Sequence, residues 1–201
     1  MQTSIDLYSS FYRRIRDIEY TRTNVTRVYD KGHLVRRDLA LAYEGLFLRC
    51  VCQFEALIES LFVGLLVNGV KHPRPVNCRL VFPNQAVAKR IVTQAKYVDW
   101  LPYDRLVELS GIYYAESGNP FRGCDTRYIA GIQQACWIRN YIAHRSEHAR
   151  KSFEKNVVGA TALPGRRGDL LTYLLFPHSA SANKYEYHIG ELVQAARWFC
   201  H

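Results

Sequence analysis

Reactive side chains concentrate in one stretch, Ile138-Arg139-Asn140-Tyr141-Ile142-Ala143-His144-Arg145-Ser146-Glu147-His148. An imidazole exchanges protons near neutrality, and a guanidinium is a permanently charged, planar donor. Together they can serve proton transfer, at His144, and anion binding, at Arg139, without a metal. Positions five apart on a regular helix lie about 140° apart around its axis, at about 100° per residue. Arg139 and His144 therefore meet at one bound group only if the helix distorts, the arginine reaches around, or motifs from two chains combine.

The same run spells H-x-x-E-H across His144, Glu147 and His148. Histidines four apart share a helix face at zinc-ligand spacing, with Glu147 placed as a general base. A catalytic zinc needs a third protein ligand, and downstream only Glu154, Asp169, His178, Glu186, His188, Glu191 and His201 offer one. No metal or other cofactor is expected on the first reading. Arg145, Ser146, His148 and Lys151 flank the motif on its own segment and are candidate substrate contacts.

The elements that must position these groups read as helices. Ile5, Tyr8, Phe11, Tyr12, Ile15 and Ile18 form one stripe, capped by Thr3 or Ser4 and followed by a polar stretch that breaks at Gly32. From Val35 to Val67 apolar residues recur at steps of three and four: Leu39, Tyr43, Leu46, Phe47, Cys50, Phe54, Leu57, Ile58, Leu61 and Leu65. So long a helix is expected to leave an apolar flank needing a second partner. Asn84 can cap a helix to about Tyr97, Trp100-Leu101-Pro102 is a break, and another helix spans Tyr103 to Ser117. Asp125 or Thr126 caps the motif helix, expected to run unbroken to Lys155. Arg166 and Arg167 lie in a basic loop. Leu170 to Phe176 is a short apolar run of open type, Ser179 to Asn183 a loop, and Ile189 to Phe199 a closing helix. The expectation is an all-α fold in one domain, residues 1–201.

Arg139-Asn140 with His144 four residues further on, inside Ile-Arg-Asn-x-Ile-Ala-His, resembles the hallmark of the HEPN superfamily, in its RiboL-PSP-HEPN-like prokaryotic branch. Phe54-Glu55-Ala56-Leu57-Ile58-Glu59 is similar to that family's first core helix, and Asp99-Trp100-Leu101-Pro102 with Asn119-Pro120-Phe121 to its middle segment. The resemblance covers about 35–153. It implies an antiparallel helical bundle with a C-terminal extension, a homodimer, and a metal-independent RNA endonuclease of toxin or phage-defence type. Motifs of two subunits would share one cleft, and a neutralising antitoxin could accompany the protein. His144 would be the proton-transfer group, Arg139 the phosphate clamp and Asn140 the residue orienting one of them. Relatives that keep such a fold without catalysis make a binding module for RNA, nucleotide or protein the alternative.

Composition agrees with an anionic partner. The 201 residues carry a net charge of +9, with arginine far exceeding lysine among the 27 basic residues. Thr126 to Lys155 holds six basic residues against two acidic ones. At 48% apolar and 22% charged the chain can fill a core, which excludes a disordered or collagen-like chain. Glu59 and Lys71 bracket an apolar run shorter than the roughly 20 residues of a membrane span. Arg13, Arg14, Arg16 and Asp17 interrupt any signal-peptide core, so a cytoplasmic setting is expected, with the six cysteines reduced and used as apolar filler.

Overall fold

The computed structural model describes residues 1–94, 98–159 and 169–201. The fold is all-α. Its helices are α1 (Ser4–Asp30), α2 (Arg36–Leu66), α3 (Gln85–Thr93), α4 (Tyr103–Tyr113), α5 (Thr126–His144), α6 (Glu147–Phe153), α7 (Leu170–Leu175) and α8 (Lys184–Cys200). The described strands are two residues long, β1 (Gln2–Thr3) and β2 (Val70–Lys71), paired in parallel. Among the described residues no helix is long and apolar enough to cross a membrane.

α2 is the axis of the core. Its Tyr43, Phe47, Cys50, Phe54, Ile58 and Leu61 are almost wholly buried, positions that the three-four spacing selects, and Phe62, outside that spacing, is buried with them. At about 1.5 Å per residue its 31 residues span about 46 Å. The expected uncovered flank is mostly covered from within the chain, with Leu41 the large apolar side chain of α2 left exposed. α1 runs antiparallel to it: Phe11 stacks edge-on against Phe54, Arg14 bonds Gln53, and Thr26 bonds Tyr43. α8 lies along another side, Tyr185 against Tyr43 and Phe199 against Phe54.

Several boundaries differ from the sequence reading, each for a tertiary reason. α1 continues through the polar stretch to Asp30, because Arg22 pairs with Glu19 and with Glu186 of α8 while Val25 and Tyr29 pack on the core. α3 stops at Thr93, where Gln94 turns left-handed (φ 49°). Tyr97, the expected end, lies outside the described residues. α4 stops at Tyr113, since Tyr114 leaves in extended backbone and its buried hydroxyl donates to Phe62 O at 2.7 Å. α8 begins at Lys184, five residues before the expected start, behind an Asn183–Glu186 capping box. The Leu170 to Phe176 run forms the short α7. The six cysteines are unbridged, four of them buried.

Candidate functional site

The helix expected over Thr126 to Lys155 is two helices. α5 starts on Asp125, whose carboxylate accepts from Arg127 N at 2.8 Å, and buries Ile132, Ala135, Cys136, Ile138 and Ile142. It ends at His144. Arg145 adopts the left-handed region (φ 49°) and its N–H donates to Tyr141 O. Such a conformation costs a non-glycine residue about 1–2 kcal/mol, and here side-chain contacts oppose that cost. The Arg145 guanidinium forms an ion pair with Glu44 of α2 and lies 5.4 Å from the Tyr141 ring centre. Ser146 then caps α6, its hydroxyl accepting from Ala149 N at 3.2 Å. After Phe153 the backbone widens to a π-helical turn, Glu154–Val158.

The corner between α5 and α6 encloses a solvent-open cavity of about 390 Å³, at the lower end of the usual 300–1,000 Å³ range for small-molecule sites. α5 contributes Trp137, Arg139, Asn140 and His144, α6 with its cap contributes Ser146, His148, Ala149 and Ser152, and Asp99 enters from the segment before α4. Arg139 and His144 thus line one space within one chain.

Arg139 is largely buried, with 16% of its side chain exposed. Its Nη2 donates to Asp99 Oδ1 at 2.7 Å and lies 3.8 Å from Glu55 Oε1. Asp99 Oδ1 also accepts from Leu101 N at 3.3 Å, which fixes the carboxylate to its own loop. Asn140 Nδ2 points back at the Cys136 thiol at 3.8 Å. Burial pushes that thiol's pKa up, so it stays protonated and un-nucleophilic. His144 and His148 are exposed, and among the described residues their ring nitrogens make no hydrogen bond.

Of the predicted substrate contacts, Ser146 and His148 line this cavity and Arg145 and Lys151 do not. Arg145 is held by Glu44, and Lys151 pairs with Glu147 at 2.9 Å on an open surface. Arg166 and Arg167 lie outside the described residues. The cavity adds Asp99, Trp137 and Ser152, which spacing along the chain did not single out. The Asp99 segment drew attention only through resemblance, and Trp137 could have been found as the aromatic neighbour of the motif.

The third-ligand candidates of the zinc reading are engaged elsewhere. Glu154 pairs with Arg150, Asp169 with Arg36, Glu186 with Arg22 and Glu191 with Arg127. His178 stacks on Tyr187, His188 is sealed in the core beside Tyr173, and His201 packs on Tyr8. Among the described residues no group of three or more His, Cys, Asp and Glu is placed to hold a metal. A larger cavity of about 730 Å³ between α1, α2 and α3 has neither histidine nor cysteine in its lining. Comparison with family models, curated proteins and solved structures finds no match to this chain.

Proposed function

We propose that this protein is a metal-independent RNA endonuclease of the HEPN type, cleaving through attack of the 2′-hydroxyl on the adjacent phosphate. The observation that carries the reading is the shared cavity: Arg139, Asn140 and His144 line one open space of nucleotide size. His144 is a proton-transfer group, Arg139 stabilises charge on the phosphate oxygens, and Asn140 supports their orientation. The surplus of positive charge draws the polyanion in. Two copies apposed at this face would give the composite cleft that the resemblance implies. A cytoplasmic toxin or phage-defence effector, restrained by a neutralising partner, is the setting that fits.

The test is incubation with total RNA in EDTA, wild type beside Arg139→Ala and His144→Ala. Fragments ending in 2′,3′-cyclic phosphate, lost in both variants, support the reading. Intact RNA with the wild-type protein refutes it.

One observation favours a second reading. Arg139 already sits between two carboxylates, as a structural arginine would. A non-catalytic binding module would keep RNA intact yet retain salt-sensitive RNA affinity in both variants.

A further inference from the structure

We propose that His148 is a second proton-transfer group, acting with His144 inside the cavity of a single chain. This deepens the nuclease reading and rests on it. On an unbroken helix the two imidazoles would be neighbours on one face, four positions apart. The left-handed turn at Arg145 instead places His144 at the end of α5 and His148 in the first turn of α6, and both line the one cavity beside Arg139. In-line displacement at phosphorus calls for two proton-transfer groups on different sides of the phosphate, because the attacking oxygen enters opposite the leaving oxygen.

The other candidates for the role are engaged. Asp99 holds Arg139 and Leu101 N, and the Ser146 hydroxyl caps α6. Glu147 pairs with Lys151 and lies outside the lining. Elsewhere in the chain, His72, His178 and His188 direct ring nitrogens at protein partners. His144 and His148 are exposed and make no hydrogen bond among the described residues.

The step balances without a co-reactant. One imidazole takes the 2′-hydroxyl proton as that oxygen bonds to phosphorus. The bond from phosphorus to the 5′-oxygen breaks, and the other histidine, starting as imidazolium, gives that oxygen its proton. The products are a 2′,3′-cyclic phosphate and a 5′-hydroxyl.

A leaving group that needs no proton separates the roles. Wild type, His144→Ala and His148→Ala are assayed on an RNA dinucleotide and on its analogue with sulfur as the bridging 5′ atom. Both variants are expected to lose about a hundredfold or more on the oxygen substrate. On the sulfur substrate one variant, the one lacking the acid, recovers to within about tenfold of wild type, and the other stays impaired. His148→Gln reproduces the His148→Ala result, and matching thermal melts confirm that both fold. Near wild-type RNA cleavage by His148→Ala overturns the proposal, as do His144→Ala and His148→Ala behaving alike on both substrates. In either case the nuclease reading survives. Absence of cleavage by the wild-type protein overturns both together.

Discussion

Arg139 Nη2 bonds Asp99 Oδ1 at 2.7 Å across forty positions of sequence, and Asp99 is itself anchored to Leu101 N. The guanidinium is therefore held in one orientation at the cavity wall by a carboxylate from another part of the chain. A donor fixed before the transition state spends nothing on reorganisation, whereas a mobile one must be ordered during the reaction. Asp99→Ala is expected to lower kcat for RNA cleavage about tenfold while leaving KM within about threefold, since binding tolerates a swinging arginine better than catalysis does. Arg139→Lys is expected to fall nearer Arg139→Ala than wild type, because an ammonium lacks the planar fork. An unchanged kcat in Asp99→Ala would make the pair scaffolding alone.

Ser146 serves the corner through its cap on Ala149 N, although it also lines the cavity. Ser146→Ala is expected to cost about 1 kcal/mol of stability, the usual loss for an N-cap. Ser146→Asn, which restores a capping oxygen, should recover most of that loss. Urea denaturation of the three proteins reads it directly. If Ser146→Asn also recovers RNA cleavage, the serine acts by placing His148; recovery of stability without cleavage points to contact with the substrate.

What the sequence made legible and what it hid follow from how local the cause is. The buried face of α2 stands out because burial by neighbours on several sides leaves its three-four apolar steps intact from Leu39 to Leu65. Its end is marked by Asn68-Gly69, and Asn68 does take a positive φ of 52°. The break after His144 has no such mark. Neither glycine nor proline is present, and an arginine occupies the left-handed position through contacts with Glu44, 101 positions away, and Tyr141. The polar second half of α1 was hidden for the same reason, since Glu186 of α8 steadies Arg22 from 164 positions away. The motif itself was visible in the sequence. Asp99, which holds its arginine, could be placed only by the fold.

At Gly131 α5 approaches α8 closely, and its substitution probes whether that contact holds the motif helix. A Cβ there would lie 2.6 Å from Glu191 Cβ, inside any normal contact distance. Glu191 cannot yield easily, because its carboxylate is 3% exposed and grips Arg127 through both oxygens at 2.7–3.2 Å. Alanine gains about 1 kcal/mol of helix propensity over glycine, while overpacking costs about 1–3 kcal/mol. Gly131→Ala is expected to be net destabilising by about 1 kcal/mol, lowering the midpoint of thermal unfolding. A higher midpoint would show that α8 shifts away at little cost.

His188 sets a limit on acid stability. It is fully buried, Nε2 lies 2.8 Å from the Tyr173 hydroxyl, and Nδ1 has no hydrogen-bond partner among the described residues. Burial pulls its pKa from 6.5 down to about 3, with Lys184 and His178 adding repulsion of the charged form. In the unfolded chain the imidazole protonates near its ordinary value, so between about pH 6.5 and 3 the unfolded state binds the extra proton. The contribution of this group is therefore complete above pH 6.5 and declines as acid is added, at up to about 1.4 kcal/mol per pH unit. His188→Gln can keep a polar contact to Tyr173 without titrating. It is expected to be less stable than wild type at pH 7, yet to lose stability more slowly on acidification, which urea denaturation at pH 7, 6, 5 and 4 measures. Parallel pH profiles for the two proteins would mean that the buried histidine does not carry the acid sensitivity.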